Sequence, residues 1–172
     1  MQHLSEVKKR LLITRKDVAL LRLYQLQNYQ LMKDEQLTIE IFVYGTLKPG
    51  ESNYQIYCAG KVAQEKRAIA FGQLFALPFG YPAMTGGTSH VRGYLLSVSD
   101  LQILPQLDWL EDYDPQRPIA DNEYYRQQIE VYDTALNSLG KAWAYFMTPE
   151  KVRALGGTLL PDGWWSKKRR SG

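Results

Sequence analysis

The sequence predicts a strand-dominated α+β domain, a curved sheet or small barrel with one helix packed against it, behind a helical N-terminal extension. Three observations carry this. Residues 4–34 contain neither glycine nor proline and are rich in Leu, Lys, Arg and Gln, all good helix formers. From Thr38 the pattern changes to short apolar or alternating runs separated by Gly and Pro. Between Ser99 and Asp112 alone does the second part of the chain read as helix.

Taken in order, the extension reads as two helices, near 4–12 and 15–33, with Thr14 and Asp17 resembling a capping signal. Leu20, Leu23, Tyr24 and Leu31 share a broad face of the second helix, suited to packing on the domain or on another subunit. Strands are expected near 39–44, 66–76, 91–98, 123–132 and 141–147. Tyr125, Gln127, Ile129 and Val131 alternate with Tyr124, Arg126, Gln128 and Glu130, as a pleated strand requires. Breaks fall at Pro78–Tyr81–Pro82, at Gly86–Gly87 and over Asn137–Gly140. These readings divide the chain into a helical extension (1–38), a core domain (39–165) and a basic tail (166–172).

Composition narrows the function. The 172 residues suffice for one domain with a real core, and 45% hydrophobic with 23% charged residues is ordinary for a globular protein. No apolar run approaches the roughly 20 residues of a membrane-spanning helix, and no signal-peptide centre is present, so a cytoplasmic location is expected. A single cysteine, Cys58, fits a reducing compartment. The net charge of +3 is uneven: residues 1–38 carry seven Lys/Arg against four Asp/Glu, and Lys167–Arg170 adds four positive charges. The centre holds the remaining ten basic and fourteen acidic residues. A nucleic-acid-binding core would be basic where this one is acidic, so nucleic acid is not the expected partner.

Two stretches could carry chemistry. In "IFVYGTLKPGES" Gly45, Gly50 and Ser52 are spaced as in a phosphate-binding loop, but Glu51 stands where the lysine is needed and would repel phosphate. What remains is a strand end at Tyr44 running into Gly45, Thr46 and Leu47, whose backbone N–H groups suit a carboxylate or a developing oxyanion. The second stretch, "LDWLEDYDP", has four carboxylates in seven residues. With about 100° per residue and Leu104 as zero, Glu111 falls near ~340°, between Leu104 and Leu107 on the apolar stripe, with Asp108 at its border and Asp112 further toward solvent. A carboxyl on a buried stripe has its pKa raised by desolvation, as a general acid or base near neutral pH requires. Pro105 weakens this geometry. His3 and His90 are far apart, no Cys–His zinc spacing or calcium loop occurs, and no G-x-S-x-G elbow is present.

"FVYGTLKPG", "PFGYPAMTGG", "VRGYLLSV", "LDWLEDYDP", "EYYRQQIEVY", "AWAYFM" and a final "DGWW" occur in the order seen in gamma-glutamylcyclotransferase-like proteins, which residues 39–165 resemble. The resemblance implies a small mixed barrel with a cavity, lined by the Tyr44–Gly45–Thr46–Leu47 loop, with Glu111 as the catalytic acid/base. It implies release of an amine from a gamma-glutamyl amide with formation of 5-oxoproline, with neither metal nor organic cofactor. Many relatives have glycine where Asp112 stands. Tyr44 and Tyr125 are expected to line the cavity, Tyr81 and Pro82 to shape its rim, Arg126 to meet a carboxylate or solvent, and Met84 and Trp143 to be core. The competing expectation is a non-catalytic small-molecule-binding or interaction domain on the same fold, self-associating through the N-terminal helices.

Overall fold

The structure, a computed structural model, describes residues 15–34 and 37–167. The helix expected near 4–12, Thr14 and the basic residues 168–170 lie outside these. The chain forms two compact units, Met1–Leu37 and Thr38–Gly172. In the first, α1 spans Arg15–Asp34, with Asp17 in its first turn where a carboxylate opposes the helix dipole favourably.

Among its described residues the second unit is a six-stranded mixed sheet with three short α-helices and one 3-10 turn, Ile119–Asp121. Its strands are β1 (Ile39–Val43), β2 (Val62–Ala76), β3 (Pro82–Val98), β4 (Tyr125–Tyr132), β5 (Ser138–Phe146) and β6 (Thr158–Leu159); its helices are α2 (Tyr54–Tyr57), α3 (Ile103–Leu110) and α4 (Pro149–Ala154). β1 runs antiparallel to β3 and parallel to β5, where Ile41 faces Trp143. β4 pairs antiparallel with β5, and a single pair, Ile69 with Tyr132, links β4 to β2. β2 and β3 form a long antiparallel hairpin, so the pairings followed from β3 through β1, β5, β4 and β2 return to β3. β6 borders the end of β2.

The sequence explains this arrangement strand by strand. The Ile41–Val43 part of β1 is apolar on both sides because both faces are covered there, as in buried strands with parallel neighbours. Ile41 and Val43 join one core cluster with Val98, Met147, Val152 and the α3 residues Ile103 and Leu107. Phe42 and Tyr44 point the other way, into a second cluster with Leu74, Met84, Val91, Phe146 and Trp165. The expected break at Gly86–Gly87 is a register shift instead. Gly72 faces Ser89 but Gln73 faces Thr85, so Gly86, Gly87 and Thr88 bulge out and β3 continues past them. β3 therefore begins at Pro82 rather than near 91, its first residue being a position where proline withholds no ladder hydrogen bond. The helix α4 went unexpected despite its signals: Thr148 caps it, accepting from the Lys151 N–H at 3.3 Å, and Pro149 follows at the first turn.

Candidate active site

β1 ends by delivering Tyr44 and the Gly45–Leu47 turn to one wall of a cavity of about 260 Å³. The turn closes on itself: the Lys48 N–H donates to the Gly45 carbonyl at 3.1 Å and the Asn53 N–H to the Thr46 carbonyl at 2.9 Å. Asn53 Nδ2 also donates to Thr46 Oγ1 at 3.0 Å. Among the described residues, no backbone carbonyl accepts from the N–H groups of Gly45, Thr46 or Leu47. Gly45 is required by contact rather than by torsion. A Cβ there would stand 2.8 Å from Pro82 Cγ and 3.0 Å from its Cδ, and Pro82 forms the adjoining wall.

The loop is pinned from behind by Lys48, which is buried at 1% exposure. Its ammonium lies 3.4 Å from the centre of the Trp164 ring and donates to the Trp165 carbonyl. Burial lowers its pKa to about 8, Glu51 opposing this and Arg67 adding to it. The "DGWW" segment thus holds the far side of the loop in place.

Opposite wall residues come from the end of α3. Leu107 is fully buried, and the helix ends at Leu110 with Glu111 as its C-cap (φ −90°, ψ 8°). The Glu111 N–H still donates to the Leu107 carbonyl at 2.9 Å, so its side chain keeps nearly the helical phase. Pro105 is the third residue of α3, a first-turn position that needs no N–H donor. Glu111 lines the cavity, and burial, then the charge of Glu123, raises its pKa to about 8.

Four tyrosines complete the walls, and each commits its hydroxyl proton to the protein. Tyr44 donates to the Tyr145 carbonyl at 2.8 Å while accepting from the Met84 N–H at 3.3 Å. Tyr124 donates to the Pro82 carbonyl at 2.8 Å, Tyr81 to Glu123 Oε1 at 2.8 Å and Tyr145 to Asp108 Oδ1 at 2.7 Å. Burial, the first cause in each case, raises the pKa of all four, to about 12 for Tyr81. They remain neutral at physiological pH, with no proton to spare. Glu111 and Glu123 are the titratable carboxylates of the wall, and no Lys, Arg or His side chain is among the described residues lining it.

The structure gathers Tyr44, Gly45, Thr46, Leu47 and Glu111 around one cavity, with Tyr81 and Pro82 beside them. Tyr125 is not there: it stacks on Phe146 at 5.9 Å, on the face of β4 that carries Val131 into the second core cluster. Its neighbour Tyr124 has the opposite parity and occupies the wall. Arg126 meets Asp108 at 3.4 Å and lies over the half-buried Trp143, 4.6 Å from its ring centre. Met84 is buried in the core. Asp112 points away from the cavity and pairs with Arg117 at 2.8 Å. Sequence reasoning missed Glu123, Tyr145 and Asn53. Glu123 reaches the site because the Glu123 and Tyr124 N–H groups donate to the Asp112 and Glu111 carbonyls, both at 3.3 Å.

Fold and site define an α+β domain with an acid-lined cavity of metabolite size, backed by a tight backbone turn. Residues 41–167 match the family described as gamma-glutamyl cyclotransferase, AIG2-like, and the chain belongs to that family. It is similar to a Vibrio cholerae protein provisionally named a gamma-glutamylcyclotransferase, with 31% identity over 128 residues, covering 74% of this chain and 96% of that one. A gamma-L-glutamyl-butirosin B gamma-glutamyl cyclotransferase of Niallia circulans is 30% identical over 105 residues, covering 61% of this chain and 65% of that one. Among solved structures, an AIG2-like protein of Mus musculus has 25% identity and a TM-score of 0.58, over 77% of this chain and 91% of the other. The Bacillus subtilis protein YkqA shares the fold at 23% identity and a TM-score of 0.53; the match covers 75% of this chain and 40% of YkqA.

Proposed function

We propose that this protein is a cofactor-independent gamma-glutamyl cyclotransferase, with Glu111 as its acid/base. The observation that carries the reading is the shared cavity: a carboxyl of raised pKa and a backbone turn rich in N–H donors line one hollow. Family membership and the name of the Niallia circulans relative support the same chemistry.

The substrate supplies its own nucleophile, the alpha-amine of the gamma-glutamyl unit. Ionised Glu111 takes a proton from that nitrogen, whose lone pair then attacks the gamma-carbonyl carbon. A five-membered ring and a tetrahedral oxyanion form, and N–H groups of Gly45–Leu47 are placed to hold the oxyanion or the substrate carboxylate. Collapse breaks the bond to the leaving nitrogen, and Glu111 delivers there the proton it took and then the second proton that the ring nitrogen sheds on becoming an amide, so the amine leaves protonated. The products are 5-oxoproline and a free amine, with no water consumed. Holding the reacting pair in a ring-closing conformation corresponds to effective molarities of ~10⁵–10⁸ M, and the proton transfer adds ~10²–10⁴-fold. The tyrosine hydroxyls, all engaged, leave this proton traffic to Glu111.

The circuit of strand pairings supports a small barrel as the scaffold. Among the described residues no helix is long and apolar enough to cross a membrane. Cys58, the one cysteine, is a buried free thiol, which fits a cytoplasmic setting. The test is 5-oxoproline formation by the purified chain from a panel of gamma-glutamyl amides differing in leaving amine. We expect turnover of at least one class; none across the panel overturns the reading.

A second reading, an assembly role for the extension, is favoured by one observation. Leu20, Leu21, Leu23, Tyr24 and Leu26 of α1 are all 60% or more exposed. Exposed apolar side chains grouped on one helix are suited to self-association.

A further inference from the structure

We propose that Glu123 is a second substrate-binding carboxylate, seating the alpha-ammonium of the gamma-glutamyl unit beside Glu111; this rests on the activity proposed above. Three features fix its position. Backbone hydrogen bonds to Asp112 and Glu111 lay residues 123–124 against the end of α3, bringing two glutamates twelve positions apart to one cavity. The Tyr81 hydroxyl holds Oε1 at 2.8 Å, orienting the carboxylate and leaving Oε2 without a tyrosine donor. The preceding loop is tied by buried Asn122, whose Oδ1 accepts from the Asp114 N–H at 2.8 Å, whose Nδ2 donates to the Asp114 and Pro118 carbonyls, and whose carbonyl accepts from the Lys151 ammonium.

The charge pattern points to the occupant. Two carboxylates share a hollow whose described walls hold no cation, and close like charges disfavour joint ionisation. A cation brought by the ligand removes this penalty. The gamma-glutamyl unit carries one carboxylate and one ammonium. The carboxylate matches the N–H turn at Gly45–Leu47, so the ammonium belongs between the glutamates. There it lowers the cost of ionising Glu111, which then accepts one of its protons. One N–H bond breaks and a Glu111 O–H bond forms, leaving a neutral amine with a free lone pair, whose two remaining N–H bonds the Glu123 carboxylate is there to accept. The titratable groups facing Glu111 are Glu123 and Tyr124 just before β4, Tyr81 before β3, Tyr44 after β1 and Tyr145 of β5. Of these, Glu123 is the carboxylate whose charge helps to raise Glu111.

The test uses the full chain with Glu123→Gln, which still accepts from Tyr81 but carries no charge. We expect KM to rise about tenfold or more for every gamma-glutamyl amide turned over, with kcat less affected. The acid limb of kcat/KM should move to lower pH, since a neighbouring charge that raises Glu111 is gone. Tyr81→Phe, which frees the carboxylate without removing it, should raise KM in the same direction by less. A binding arm needs no turnover. Glu111→Gln protein should prefer a gamma-glutamyl amide to the glutaryl amide that has hydrogen in place of the amine, and Glu111→Gln/Glu123→Gln should not. Unchanged KM with the preference intact would overturn the proposal, as would a KM rise confined to cationic leaving amines. Should the native chain turn over no gamma-glutamyl amide, the activity reading fails and the binding arm still decides for or against Glu123.

Discussion

At the scale of single residues, Glu111 is held where its charge is costly, and that cost has a sign. Its pKa of about 8 in the fold, against 4.5 for the free side chain, means the native state keeps a proton that the unfolded chain releases across this window. The contribution to stability is fully present below about pH 4.5 and is lost as pH rises through about 8. Glu111→Gln removes that burden. Its melting temperature should exceed that of the native chain increasingly from pH 5 to 8.5, by the equivalent of up to a few kcal/mol. Melting curves for the two proteins at several pH values check this; parallel curves would show that the carboxyl is not desolvated. The position was legible beforehand because a carboxylate on an apolar helical stripe stands out by phase. Glu123 was not, because no periodicity links it to Glu111: it arrives through a loop closed by Asn122, and such closure leaves no repeating mark. Tyr124 and Tyr125 differ only in strand parity, and neither side chain is exposed, so alternation identified two faces without saying which met the cavity.

At the scale of elements, turns rather than strands shape the site. Gly45→Ala would force Pro82 outward, since the new methyl overlaps its ring. The expected result is a loss of about 1–3 kcal/mol of stability and a more than proportionate fall in kcat/KM, read from denaturant melts and initial rates. Retained activity would show that the Gly45–Pro82 contact does not set the cavity wall. After α3 the chain turns through Asp112 at φ 46°, a left-handed conformation that glycine adopts freely and aspartate tolerates. That is a physical reason for a glycine to be favoured at this position. Asp112→Gly gives up an exposed ion pair with Arg117, worth little, and relieves the torsion. Stability should therefore change by less than about 1 kcal/mol and kcat/KM should hold, whereas Asp112→Val should destabilise by about 1–2 kcal/mol. The β1 to Gly45 junction and α3 were readable because each is a strong local signal. The start of β3 was not, because Gly86–Gly87 looks like a turn in sequence and is a bulge in the sheet.

At the scale of the whole molecule, a cavity-bearing α+β unit and a separate helical unit share one chain. The change from helical to alternating pattern near Thr38 was visible in the sequence alone. What the extension does was not, because its exposed leucines are compatible with several partners. Removing residues 1–37 should leave kcat/KM unchanged and lower the assembled mass measured by sedimentation, if α1 serves self-association; an unchanged mass would refute that role. The carboxyl at the cavity wall decides the rest. The most direct measurement is 5-oxoproline release by native chain and by Glu111→Gln, side by side, on whichever gamma-glutamyl amide the native chain turns over fastest. Loss of kcat by ~10²–10⁴-fold in a variant that melts at or above the native temperature is the expected result. A folded Glu111→Gln protein with native kcat would contradict the account.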